Sequence, residues 1–168
     1  MKASFNMTAS KKIVLLGHFG VGKTSLIRRF VENTFAEDYK VTISVHISKK
    51  NIEINNNDSV SLIIWDLEGQ DDIKKTRSSY LLGTSGFIYV FDLSRPITFE
   101  NLEFELKFIK ENYPNIPIKV VANKMDLVNK AYLSQYSDYF DSFVDFFVSA
   151  KTGSKIETLF SKLAEELI

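Results

Sequence analysis

Five short apolar runs, nearly continuous rather than alternating, constrain this chain more than any other feature: KKIVLLG (11–17), SLIIWD (61–66), FIYVFD (87–92), IKVVANK (118–124) and FFVSA (146–150). A strand with one wet face alternates apolar and polar residues. A strand without that alternation is covered on both faces, the condition of a parallel sheet between two helical layers. Helical periodicity in the intervening segments supplies the layers. Leu26, Ile27 and Phe30 share one side of 22–32, and Phe99, Leu102, Leu106 and Ile109 share one side of 96–113, where Pro96 suits a first turn. A weaker helix is predicted over 131–140. A strong one is predicted over 154–168, with Ile156, Leu159, Phe160, Leu163 and Leu167 on one face. The segment 41–54 alternates in part, and the turn cluster NNND (55–58) joins it to SVSLIIW as an antiparallel hairpin at a sheet edge. The fold class is therefore α/β, with right-handed crossovers and a mostly parallel sheet.

A length of 168 residues suits one domain with one substantial core. The expected organisation is a flexible N-terminal extension over 1–10 and a single domain over 11–168. A formal net charge of zero provides no global field for nucleic acid or an anionic membrane. The chain has no cysteine, which excludes disulfides, thiolate metal sites and cysteine lipidation within it. The N-terminal MKASFNMTAS lacks the apolar core of a secretory signal, and no run approaches the ~20 apolar residues of a membrane span. A cytoplasmic protein is expected.

In parallel α/β sheets ligands lie at the carboxyl ends of the strands, and each motif here falls at such an end. GHFGVGKTS (17–25) follows the first strand, opens the first helix and matches G-x-x-x-x-G-K-[ST] through Gly17, Gly22, Lys23 and Thr24. Phe19, Gly20, Val21 and Ser25 complete the cradle. Such a loop turns backbone N–H groups onto an anion, and the helix N-terminus adds partial positive charge. Lys23 suits the β- and γ-phosphates, and the Thr24 hydroxyl suits Mg²⁺. The bland alternative is a glycine turn that happens to adjoin a lysine. NKMD (123–126) follows a later strand. Asp126 can accept the two N–H donors on the Watson–Crick edge of guanine, which adenine does not offer, so a carboxylate facing adenine would be buried without partners. Asn123 can brace loop and base, the Lys124 stem can lie over the purine, and SAK (Ser149, Ala150, Lys151) offers the Ala150 N–H to a guanine carbonyl. Alone, NKMD also reads as a surface turn.

With these motifs in this order the sequence resembles the Ras-superfamily small GTPases, in texture closest to the Rab branch, from about Lys11 to Ile168. The resemblance implies a P-loop NTPase G domain, a six-stranded, mostly parallel sheet flanked by about five helices. It also implies a GTP/GDP switch with bound Mg²⁺ and slow GTP hydrolysis. On the same ground Phe35 packs on the guanine, and Thr42 joins Thr24 as a metal ligand when GTP is bound. WDLEGQ (65–70) corresponds to the family's W-D-T-A-G-Q. There the resemblance has Asp66 hold the metal through water, Gly69 touch the γ-phosphate and Gln70 orient the attacking water. Core or edge-strand roles remain open for Phe35 and Thr42.

Several positions depart from the family. Glu68 stands where relatives have alanine. A carboxylate about 4 Å from a phosphate charge costs about 1 kcal/mol in water and about 4 kcal/mol at an effective dielectric of ~20. Either Glu68 disfavours GTP and retunes hydrolysis, or it points to solvent. Phe19 crowds the place where Gln70 and a partner's arginine would meet, or else lies flat. Ser44 replaces a usual glycine and stiffens the first switch. ISVHI (43–47), DDIKKTRSSYLLG (71–83) and YVFDLS (89–94) keep Rab-like patterns only partly.

By the same resemblance Ile47, Trp65 and Tyr80 form an apolar patch for effectors and regulators, with burial as the alternative. Phe104 and Phe108 read as extra core, with a second sticky surface as the alternative. No nucleic-acid partner is expected. The chain stops at the end of its last helix, whereas prenylated relatives continue into a tail ending in cysteine, so membrane attachment is not encoded in it. Peripheral membrane association, as in vesicle trafficking, would need such a tail. Two other readings stand beside the switch: a nucleotide-locked binding module without useful turnover, and an ATP-binding P-loop protein.

Overall fold

The computed structural model describes residues 9–38, 40–55 and 58–168. The first eight residues of the expected extension lie outside the described residues, and Ala9 and Ser10 already belong to the first strand. Six strands form one sheet: β1 (Ala9–Leu16), β2 (Val45–Glu53), β3 (Ser59–Leu67), β4 (Gly86–Asp92), β5 (Ile118–Asn123) and β6 (Phe146–Phe147), in the order β2-β3-β1-β4-β5-β6. Only β2 runs antiparallel, paired with β3 as the predicted hairpin. The remaining pairs are parallel, so their carboxyl ends share one edge.

The continuous apolar runs are explained by burial on both faces. Ile13, Leu15, Leu62, Ile64, Ile88 and Val90 pack on one side of the sheet with helices α1 (Lys23–Glu32) and α6 (Ile156–Glu166). Their alternate neighbours Val14, Leu16, Phe87, Tyr89 and Phe91 pack on the other side with α3 (Leu102–Asn112) and, through Phe140, α5 (Ser137–Phe143). The predicted helical faces are the ones buried: Leu26, Ile27 and Phe30 on α1, Leu102, Leu106 and Ile109 on α3, and Ile156, Leu159, Phe160 and Leu163 on α6.

The structure departs from the sequence reading in a few places. Pro96 starts a separate 3₁₀ turn, and α3 begins at Leu102. The helix predicted over 131–140 is broken at Tyr136 into α4 (Lys130–Gln135) and α5. A short α2 (Ser78–Leu81) lies in the DDIKKTRSSYLLG segment, where four residues are too few to display a period. The last strand pairs over only two residues, although the Val148 N–H still donates to the Ala122 carbonyl at 2.8 Å before the SAK loop. Phe104 is 59% exposed rather than core, and the ammonium of Lys74 lies 5.1 Å from its ring centroid. Phe108 is half-buried against the α3 side of the core.

Phe30 and Phe160 stack with centroids 3.8 Å apart, locking α1 to α6 behind the phosphate loop. Removing a fully buried phenyl ring leaves a cavity that rigid neighbours cannot close. Phe160→Ala is expected to destabilise the protein by about 3–5 kcal/mol, read as a lower urea midpoint at an unchanged slope.

Candidate functional site

The loop from Gly17 to Gly22 joins β1 to α1, and Lys23 is the first residue of the helix. Lys23 is only 6% exposed, and its ammonium donates to the carbonyls of Gly17 and His18, each at 3.0 Å. Burial lowers its pKa to about 8, partly opposed by the charge of Asp66. Gly22 has φ +101, and a Cβ there would stand 2.3 Å from Nδ2 of Asn123. A side chain at this position is both strained and incompatible with Asn123. Gly69 is required by close approach instead, since its Cβ would lie 2.5 Å from the Phe19 Cα.

At the other side of Lys23, three oxygen-bearing side chains meet. The Thr24 hydroxyl donates to Asp66 Oδ2 at 2.5 Å and lies 2.7 Å from the Thr42 hydroxyl. They come from the first turn of α1, from β3 and from the segment before β2. Asp66 is 2% exposed, and burial raises its pKa against the lowering effect of the Thr24 bond. Its Oδ1 has no hydrogen-bond partner among the described residues. Two hydroxyls, one carboxylate and an unsatisfied buried oxygen fit a small hard cation that keeps much of its water, the ligation habit of Mg²⁺. Among the described residues no cluster of three His, Cys, Asp or Glu offers a different metal centre.

The NKMD and SAK loops meet on the far side. Asn123 is 2% exposed; its Nδ2 donates to the Val21 carbonyl at 3.0 Å and its Oδ1 accepts the Ala150 N–H at 3.1 Å. The Ala150 N–H, expected to face a guanine carbonyl, is therefore engaged by Asn123 here. The Ser149 hydroxyl donates to Asp126 Oδ1 at 2.7 Å, which orients an otherwise exposed carboxylate. Lys124 donates to the Gly20 carbonyl at 3.0 Å.

These groups surround a cleft of about 350 Å³. Of the sequence-predicted residues, Phe19, Gly20, Gly22, Lys23, Thr24, Ser25, Phe35, Thr42, Gly69, Asn123, Lys124, Asp126, Ala150 and Lys151 line it. Gly17, Val21, Asp66 and Ser149 stand behind that lining and hold it by the contacts above. Gln70 does not line it. Its backbone N–H reaches the Gly17 carbonyl at 3.4 Å, and the residue borders a separate cleft of about 90 Å³ with Ser44, Glu68, Lys75, Arg77 and Tyr80. Glu68 is exposed in that second cleft, which favours its solvent-facing alternative. Ser44 sits at φ +61, a left-handed conformation that explains why glycine is usual there.

Sequence reasoning missed Arg28, Glu37, Asp38 and Lys40 around the cleft mouth, where no spacing marks them. It also missed Arg29, which donates to the carbonyls of Ala150 at 2.9 Å and Lys151 at 2.5 Å and ties the SAK loop to α1. Nothing short-range in the sequence signals that pairing. Ile47 and Trp65 are register partners in β2 and β3. Ile47 is 49% exposed, whereas Trp65 and Tyr80 are half-buried with rings 6.3 Å apart.

A strand-loop-helix anion cradle, a hard-oxygen cluster and a two-loop base pocket on one sheet edge define a P-loop nucleotide-binding protein. Comparison with known sequences narrows this class: the profile of the Ras family matches residues 12–168, and the chain belongs to that family. It is 37% identical over 161 residues to the Ras-related protein Rab-5B of Plasmodium falciparum (isolate 3D7), covering 93% of this chain and 77% of that one. It is 34% identical over 166 residues to Rab-32B of Dictyostelium discoideum, covering 94% and 64%, and 35% identical over 161 residues to Rab-1A of the same organism, covering 93% and 79%. The protein is thus a divergent, Rab-like small GTPase, a GTP-binding switch. Guanine nucleotide and Mg²⁺ binding follow in general from the family. Among the described residues no helix is long and apolar enough to cross a membrane.

The depressed pKa of Lys23 has a measurable sign. Between about pH 8 and 10.5 the unfolded chain holds a proton that the folded, nucleotide-free protein lacks. Stability from this group is therefore present above 10.5 and lost as pH falls through about 8. Nucleotide-free wild type is expected to gain about 2 kcal/mol more than Lys23→Met between pH 7.5 and 9.5, measured by urea denaturation.

Proposed function

We propose that the cleft holds GTP and GDP with the phosphates on the Gly17–Thr24 loop and the guanine between the NKMD and SAK loops. The single domain, which takes in β1 from Ala9 onward, then acts as a slow GTPase. The observation that carries this reading is the pair of hydrogen bonds made by the Asn123 amide, which joins the phosphate loop at Val21 to the SAK loop at Ala150. Asp126 selects guanine through its two N–H donors, and Ser149 holds the carboxylate in place.

Hydrolysis transfers the γ-phosphoryl group to water. The water oxygen bonds to phosphorus, the bond to the β–γ bridging oxygen breaks, and GDP leaves. Lys23, already desolvated, exchanges the carbonyls of Gly17 and His18 for phosphate oxygens, where a preorganised ammonium is worth more than in water. Thr24 and Thr42 would hold a Mg²⁺ directly and Asp66 would hold it through water, and the ion would supply charge neutralisation at the phosphates. Gly69 approaches the γ-phosphate through its N–H. Gln70 orients the water after moving from its place beside the second cleft, a required motion that agrees with slow turnover. Thr42 and Gly69 couple the two flanking segments to the γ-phosphate, so its loss releases them. Ile47, Trp65 and Tyr80 present the apolar face that protein effectors and regulators read in the GTP state. A cytoplasmic setting with peripheral membrane association and a role in membrane traffic fits this reading.

Fluorescent GDP is expected to bind in magnesium buffer and to be displaced by GTP but not by ATP; displacement by ATP overturns the assignment of the base. In single-turnover hydrolysis Gln70→Ala is expected to slow phosphate release on the order of 100-fold, through loss of water positioning. An unchanged rate removes Gln70 from the mechanism, and no release from wild type makes the protein a nucleotide-locked module. Because Glu68 faces solvent, Glu68→Ala is expected to leave the GTP-to-GDP affinity ratio within about twofold by competition titration.

A further inference from the structure

The carboxylate of Asp92, at the end of β4, is 1% exposed, yet the nucleotide reading above does not use it. Its Oδ1 accepts from the Ser94 N–H at 2.9 Å and the Ser94 hydroxyl at 2.6 Å. Its Oδ2 has no hydrogen-bond partner among the described residues, and the charge is met by the ammonium of Lys124 at 2.9 Å. A buried carboxylate survives only with such compensation. Asp92 lies opposite Asn123 in the β4–β5 register, which brings the carboxylate beside the residue that follows Asn123.

We propose that Asp92 is a positioning residue of the nucleotide site, which fixes Lys124 as a rigid wall of the base pocket. The proposal rests on the reading that the cleft takes guanine nucleotides. Lys124 is held at three points. Its backbone has φ +65 at the start of the turn Met125–Leu127, and its ammonium is shared between Asp92 and the Gly20 carbonyl at 3.0 Å. With both ends fixed, the four-carbon stem between them has lost its rotamer freedom before a purine arrives, so stacking against it carries little further ordering cost. The same ion pair neutralises the ammonium locally, leaving phosphate attraction to Lys23. Without the Asp92 charge, the Lys124 ammonium keeps only the Gly20 carbonyl and the wall loosens. Asp92 also ties this wall to the phosphate loop, because the Lys124 ammonium it holds is the one bonded to Gly20.

The test follows release of fluorescent GDP from the full chain in magnesium buffer after a chase with excess GDP. Asp92→Asn is expected to speed release at least about tenfold, equivalent to about 1.4 kcal/mol. Lys124→Met is expected to speed release as well, and Asp92→Asn/Lys124→Met to be no faster than Lys124→Met alone. A wild-type rate for Asp92→Asn overturns the proposal. So does the same acceleration by Asp92→Asn in both backgrounds, the signature of a general structural role. If Asp92→Asn does not fold by circular dichroism, Asp92→Leu/Lys124→Met removes both charges together and keeps the measurement. Release matching Lys124→Met supports the proposal, and release at the wild-type rate refutes it. Wild type that retains no GDP refutes the underlying nucleotide reading and this proposal together, whereas the variant outcomes bear on Asp92 alone.

Discussion

The side-chain amide of Asn123 is the contact on which the site depends. One residue at the end of a central strand accepts from Ala150 and donates to Val21, so two loops distant in sequence are held at a fixed spacing. Both bonds are shielded from water, where an unmatched polar group is costly and a matched pair is correspondingly firm. The glycine at position 22 follows from this, because the amide fills the space a Cβ would take. The sheet makes the contact possible: parallel strands deliver β1, β4 and β5 to the same edge with their carboxyl ends aligned.

Buried charge is concentrated at that edge. Lys23, Asp66 and Asp92 are each nearly inaccessible, and each is compensated differently. Lys23 rests on backbone carbonyls, Asp66 on the Thr24 hydroxyl, and Asp92 on Lys124 and Ser94. Lys23 and Asp66 are incompletely satisfied, as the lowered pKa of the lysine and the unpartnered Oδ1 of the aspartate record. A polyanion beside the lysine and a cation beside the aspartate would supply the missing partners, as the proposed function requires. Asp92 is matched by a protein cation and so reads as support.

The departures from the family have separate physical outcomes. Ser44 takes up the left-handed backbone that glycine usually fills, and its carbonyl accepts the Glu68 N–H at 3.0 Å, so the two altered positions are joined through the main chain. Glu68 is thereby directed to the smaller cleft with Lys75 and Arg77, away from the phosphate cradle. Phe19 remains 45% exposed at the cleft mouth, and its carbonyl accepts from Arg95 at 3.1 Å.

Sequence alone determined the sheet, its edge hairpin and the buried faces of α1, α3 and α6, because two-sided burial and helical period are written in residue order. It also located most of the cleft lining, since GHFGVGKTS and NKMD place their chemistry within a few residues of a strand end. Tertiary structure decided what depends on contacts between distant segments. The pairing of Asp92 with Lys124, the bracing of the SAK loop by Arg29, the position of Gln70 beside the second cleft and the solvent exposure of Phe104 and Glu68 have no local signature. Each is settled by which surfaces meet once the strands align, and a one-dimensional pattern carries no record of that distance.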